Sequence, residues 1–107
     1  MANTYKNAFY DPSVTTPVTV YTVPANTTSI VKNIQITNES GSKVVKVSIT
    51  DNSASTTYQI AYGAISGATI CNFAKAPIVM EAGDILKIET SVTTGISGII
   101  SYLEIDF

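Results

Sequence analysis

Few residues of this chain could do chemistry, and the best candidates are the carboxylates Glu81 and Asp84, which share one turn. Two carboxylates roughly 5 to 10 Å apart across a sugar cleft can hydrolyse a glycosidic bond. A lone pair in a turn is more often a solvated cap. The sequence contains no histidine, which removes Ser-His-Asp and Cys-His catalysis. We therefore predict that the protein is not an enzyme and has no catalytic residue.

The sequence also offers few residues that could hold a metal or a cofactor. Cys71 is the single cysteine, so no intrachain disulfide can form, and its place in a predicted strand favours a buried structural thiol. Asp51 and Asn52 could contribute to a calcium site, but the dense aspartate pattern of such loops is missing. Histidine, the commonest metal ligand, is absent. We expect no metal and no cofactor.

The charge distribution argues against nucleic acid and membrane partners. The chain has six lysines, no arginine and a net charge of −2, and the lysines are scattered. Nucleic-acid binding needs clustered cations that release counterions from phosphate. No stretch approaches the roughly 18 apolar residues of a membrane span, and the N-terminus lacks the apolar core of a signal peptide. We expect synthesis in the cytoplasm, with no membrane partner.

The pattern of apolar residues predicts an all-β protein. Alternation with a period of two recurs along the chain, and turn residues interrupt it about every eight to twelve positions. One such row holds Ile30, Ile34 and Ile36. About eight strands and no helix of any length indicate a single antiparallel, jelly-roll-like β-sandwich. Residues 1–13 form an N-terminal arm or a first strand, and residues 14–107 form the sandwich domain.

The predicted last strand, residues 96–107, is apolar on both faces, which is unusual for a strand with one solvated face. One face carries Ile99, Leu103, Ile105 and Phe107. The other carries Ile96, Ile100 and Tyr102. A domain of 107 residues can bury one row in its own core, and we expect a neighbouring subunit to cover the second. The low content of charged residues, 13% against about 25% in a typical domain, also favours assembly.

Four stretches in fixed order resemble short virion proteins of tailed bacteriophages, particularly those of cyanobacteria and other aquatic hosts. They cover about a third of the chain, reach towards both ends and carry no catalytic motif. The matching segments are TYKNA at 4–8, VYTVPANTTSIVK at 20–32 with ITN at 36–38, PIVMEAGDILK at 77–87 and SYLEI at 101–105.

The resemblance implies a structural role in the particle, and a decoration or cement protein on the outer capsid surface fits it best. Its partners would be the major capsid protein and copies of itself. We expect a trimer, because threefold positions of an icosahedral lattice present three equivalent patches. Tyr5, Phe9 and Tyr10 are the predicted capsid anchor, by analogy with aromatic hot spots. Ile96, Ile100 and Tyr102 would then form the subunit interface.

The sequence leaves one other kind of function open. A component of the tail, neck or fibre could act as a receptor- or glycan-binding module, because small β-sandwiches carry recognition on their loops. The loops at 51–55 and 63–68 are the candidates in that case. The position of the protein on the particle decides between the two alternatives.

Overall fold

The computed structural model describes residues 2–106, which form nine strands and contain no helix. The described residues therefore include no helix that could cross a membrane. The strands are β1 (Asn3–Tyr10), β2 (Val18–Thr22), β3 (Thr27–Asn38), β4 (Lys43–Asp51), β5 (Thr56–Ile65), β6 (Thr69–Asn72), β7 (Ile78–Met80), β8 (Ile85–Thr90) and β9 (Ile96–Asp106).

The strands form two antiparallel sheets that pack face to face. Sheet A has the order β1-β9-β3, and β6 and β7 pair with different parts of the far edge of β3. Sheet B has the order β2-β8-β4-β5. If β6 and β7 are counted as one interrupted strand, this is the eight-strand order of a jelly roll, in which most connections cross between the sheets. The predicted antiparallel β-sandwich is confirmed.

The turns form where residues that tolerate a positive φ were available. Asn26 has a φ of 56° in the turn before β3, and Gly83 has a φ of 87° in the turn before β8. A Cβ atom at Gly83 would also lie 2.6 Å from the Asn52 side-chain amide, which would then have to move.

The core lies between the inner faces of the sheets. Alternate residues of β3 and β9 meet alternate residues of β4 and β8, as period-two strands require. Side-chain hydrogen bonds tie the sheets together through this core. The Tyr10 hydroxyl lies 2.8 Å from Thr90 Oγ1, and the Tyr21 hydroxyl donates to Glu104 Oε2 at 2.7 Å. The most deeply buried apolar side chains include Ile34, Ile36, Val45, Val47, Leu86, Ile88 and Ile100.

The two faces of β9 are used in the opposite way from the sequence prediction. Ile96, Ile100 and Tyr102 are buried within a single chain, because sheet B covers them. The subunit-interface role predicted for these three residues is therefore wrong. The other apolar row, which includes Ile99 and Leu103, lies half-buried on the outer face of sheet A. Phe107 lies outside the described residues.

Residues 3–10 are a strand, which decides between the two alternatives for the N-terminal segment. β1 pairs with β9 along its whole length, from Asn3 opposite Ile105 to Tyr10 opposite Gly98. Tyr10 is buried in the core, so its predicted role as a capsid anchor is wrong. Tyr10 points inward because it has the parity of the core-facing residues, whereas Tyr5 and Phe9 have the opposite parity and point outward.

A β-bulge in β3 changes which isoleucines share a face. The pairing of β3 with β9 shifts between Val31 and Asn33, so one extra residue, Lys32, lies in β3 at that point. Before the bulge the odd-numbered side chains of β3 face the core, and after it the even-numbered side chains do. Ile34 and Ile36 are buried, but Ile30 faces outward and is only half-buried. The prediction that the three isoleucines form one row is therefore wrong for Ile30.

Candidate functional site

Of the two carboxylates in the 81–84 turn, that of Asp84 has a structural role. Asp84 is buried, and its Oδ1 accepts a hydrogen bond from the backbone N–H of Asn52 at 3.0 Å. Its Oδ2 accepts one from the N–H of Glu81 at 2.9 Å. Both carboxylate oxygens of Asp84 therefore accept hydrogen bonds from backbone N–H groups. The residue joins the loop after β4 to the turn before β8.

The other candidate ligands are dispersed. Cys71 is half-buried on β6 and packs against the edge of the core. Asp51 Oδ1 accepts hydrogen bonds from the N–H and the hydroxyl of Ser53, which closes its own loop. Within residues 2–106, no three or more Cys, Asp or Glu side chains gather as a metal site would require.

The most distinctive surface feature is a line of four apolar side chains that crosses the outer face of sheet A. Strand register places Tyr5 of β1 opposite Leu103 of β9, Leu103 opposite Ile30 of β3, and Ile30 opposite Val79 of β7. Directly paired residues of neighbouring strands point to the same side of the sheet. We call these four residues the apolar row. With strands about 4.8 Å apart, the row is about 14 Å long.

The ends of the apolar row are well exposed. Tyr5 is 76% and Val79 is 64% accessible to solvent, while Leu103 and Ile30 between them are half-buried. Phe9, on the same face, is 69% accessible and pairs with Ile99. The same face carries other half-buried or exposed apolar side chains, namely Ile70 and Ile105.

A polar row borders the apolar row on one side. Asn7, Ser101 and Asn33 lie opposite one another on β1, β9 and β3. Lys32, at the bulge, is exposed beside them and lines the same shallow groove as Tyr5. Lys6 of β1 also lines this groove, but its ammonium is paired with Glu104. The face can thus offer a partner apolar contact, amide hydrogen bonds and one positive charge.

The structure brings together only part of the predicted site. Tyr5 and Phe9 lie on the exposed outer face of sheet A, where a binding surface would need them. The residues that the sequence analysis missed are Ile30, Leu103 and Val79. Leu103 was visible as part of the second apolar row of the last strand, but Ile30 was hidden by the bulge and Val79 by its place in a very short strand.

Beneath β1 lies a small polar cluster centred on Glu104, which is buried at the inner face of β9. Its Oε1 lies 2.9 Å from Lys6 Nζ, and its Oε2 accepts a hydrogen bond from the Tyr21 hydroxyl at 2.7 Å. The Tyr21 ring stacks on Tyr102, with centroids 4.0 Å apart. Burial alone would raise the pKa of Glu104, but the bonds from Lys6 and Tyr21 and the charge of Lys6 outweigh it, so the pKa is lowered.

This cluster makes stability depend on pH in acid. Because the pKa of Glu104 is lower in the folded chain, the unfolded chain binds the extra proton, and stability falls as pH drops through the ordinary glutamate range. The stabilisation is fully present above about pH 5 and declines below it. We expect Glu104→Gln to be less stable than the wild type at pH 7, with a difference that shrinks between pH 5 and pH 3.

Urea unfolding of both proteins across that pH range measures the effect. Glu89→Gln, on β8, is the matched control for losing one carboxylate. A stability difference between the wild type and Glu104→Gln that stays constant from pH 7 to pH 3 would contradict the assignment.

No protein-family model and no curated protein matches this chain.

Proposed function

We propose that this chain is a bacteriophage virion structural protein that decorates the assembled head and stabilises it, with the major capsid protein as its partner. The single observation that carries the proposal is the apolar row Tyr5–Leu103–Ile30–Val79 on the outer face of sheet A. The resemblance of the sequence to short virion proteins of tailed phages supports the same role.

The physical argument concerns what a partner would gain at this face. Burying an exposed apolar side chain contributes about 25 cal/mol per Å² of apolar area. Tyr5 and Phe9 offer large aromatic surfaces, which dominate the energetics of many interfaces. A protein that binds the assembled shell but not the free capsid subunits stabilises the shell by mass action. The proposed activity therefore needs a docking face and no catalytic group.

The test is the binding of the purified protein to heads that lack it, from the phage that encodes the chain. The double variant Tyr5→Ser/Val79→Ser removes both exposed ends of the apolar row. We expect it to bind heads at least tenfold more weakly, because several hundred Å² of apolar contact would be lost. Thermal unfolding should change little, since both side chains are largely exposed.

The matched control is the double variant Val14→Ser/Val92→Ser, which removes two exposed apolar side chains from loops outside both sheets. It should bind heads like the wild type. Equal binding by the double variant and the wild type would reject this face as the docking surface. Deleting residues 2–12 is a poorer test, because it also removes Tyr10 from the core and leaves the edge of β9 uncovered.

One observation favours a second candidate, a receptor- or glycan-binding module of the tail or fibre. A shallow depression of about 470 Å³ lies beside the exposed Phe9 ring and is lined by Asp11, Gln35, Thr37 and Ser97 among others. An aromatic face with nearby amide, hydroxyl and carboxylate groups can stack on a sugar and hydrogen-bond its hydroxyls. Fluorescently labelled protein that coats host cells but ignores heads would favour this second function.

A further inference from the structure

The edge strands of the two sheets are protected unequally. β6 and β7 have four and three residues, and β2 has five and contains a bulge. β1 carries Lys6 in its middle, and that lysine points inward to Glu104. Short length, bulges and inward-pointing charges are the usual devices that keep an edge strand from pairing with another chain.

β5 is the edge strand that has least protection. It is ten residues long, pairs only with β4, and contains no charged residue and no proline. Three large side chains on it are exposed, Tyr58, Ile60 and Tyr62. One bulge interrupts its pairing with β4 near Ile60, but regular segments remain on both sides. An uncharged exposed edge of this length offers a row of free backbone donors and acceptors to another strand.

We propose that β5 pairs antiparallel with β5 of a second copy of this chain across a twofold axis, which joins the two copies of sheet B into one eight-stranded sheet. Two identical strands related by a twofold axis are antiparallel, so their edges are complementary in hydrogen bonding. Because β5 has no charge, self-pairing sets no like charges opposite each other. This inference does not depend on the proposed function.

The size of the contact predicts a weak dimer. A ten-residue strand is about 33 Å long, and two such strands side by side bury an area at the low end of specific interfaces, below about 1,200 Å² in total. We therefore expect a dissociation constant on the order of micromolar. A dimer of this kind would replace the threefold trimer that the sequence analysis predicted.

The experiment measures the mass of the protein by sedimentation velocity from about 1 to 100 µM, a range that brackets the expected dissociation constant. Tyr62→Glu is the decisive variant. Register places Tyr62 opposite Lys46 on β4, so a glutamate there gains an attractive neighbour within its own chain. Pairing of two such strands would bring one glutamate from each copy into the same seam, where the two charges repel. Val79→Glu, on sheet A, is the matched control with the same change of charge.

We expect the wild type and Val79→Glu to dimerise alike, and Tyr62→Glu to dimerise at least tenfold more weakly. A wild type that stays monomeric at 100 µM, a trimer, or dimerisation lost in Val79→Glu and kept in Tyr62→Glu would each overturn the proposal. If thermal unfolding shows that Tyr62→Glu does not fold, Ala64→Glu, also exposed on β5, takes its place. Head binding by a monomeric Tyr62→Glu separates this result from the fate of the proposed function.

Discussion

Replacing Ile100 by alanine is expected to destabilise the fold by about 3 to 4 kcal/mol, the cost of a cavity in a well-packed core. Ile100 is completely buried, pairs with Ile34 of β3, and faces sheet B. Its neighbour Ile99 lies half-buried on the outer face of sheet A. Ile99→Ala is the matched control, and we expect it to cost about 1 kcal/mol or less, because solvent can fill the space that it leaves.

Urea unfolding of the isolated chain at pH 7 compares the two variants. The comparison isolates the face assignment, because both residues are isoleucines, adjacent on one strand, and differ only in direction. If Ile99→Ala destabilised the isolated chain as much as Ile100→Ala, the assignment of the two faces of β9 would be wrong. The same pair of variants also distinguishes a core row from a subunit interface, since an interface residue should matter little to an isolated chain.

Replacing Asn38 by alanine is expected to have the second large effect, a loss of about 2 to 4 kcal/mol. Asn38 is completely buried at the end of β3. Its Nδ2 donates to the carbonyl oxygens of Gly41, Ile65 and Ser66 at 2.6, 3.0 and 3.2 Å. Its Oδ1 accepts a hydrogen bond from Lys43 Nζ at 2.6 Å. One amide thus joins the β3–β4 turn to the loop after β5.

The cost arises because alanine would leave several buried groups without a partner. Lys43 is buried as well. Without the Asn38 side chain, its ammonium would keep the hydrogen bond to the backbone carbonyl oxygen of Ser40. Asn38→Asp tests the two halves of the amide separately, since it keeps an acceptor for Lys43 and loses the donor to the loop carbonyls. Asn33→Ala, half-buried on the outer face of the same strand, is the control. A loss below 1 kcal/mol for Asn38→Ala would contradict the structural role, and chemical denaturation measures it.

Local patterns predicted the strands and turns because each depends on residues close in sequence. Alternation holds along β4, where Val45 and Val47 are fully buried and Ile49 packs partly buried against the core. Glu81 to Asp84 form the predicted turn, and Pro24 to Asn26 form another, in keeping with their residue types. Alternation failed where a bulge changes the parity, and Ile30 faces outward for that reason.

Long-range features could not be predicted in the same way. The last strand is apolar on both faces, and nothing within it indicates which face meets sheet B. The row of Ile96, Ile100 and Tyr102 was predicted to face outward for this reason, and it is buried. The apolar row depends on the register of four strands whose residues, 5, 30, 79 and 103, lie far apart in the chain. The role of Asn38 likewise depends on a loop 27 residues away.

A reconstruction of the virion at a resolution that separates β-sheets tests the proposed function most directly. If the chain decorates the head, we expect a small sandwich on the outer surface of the head, with sheet A facing the shell and Tyr5 and Val79 in contact with the capsid protein. A sandwich whose sheet A faces solvent, or one found only on the tail or fibres, would contradict it.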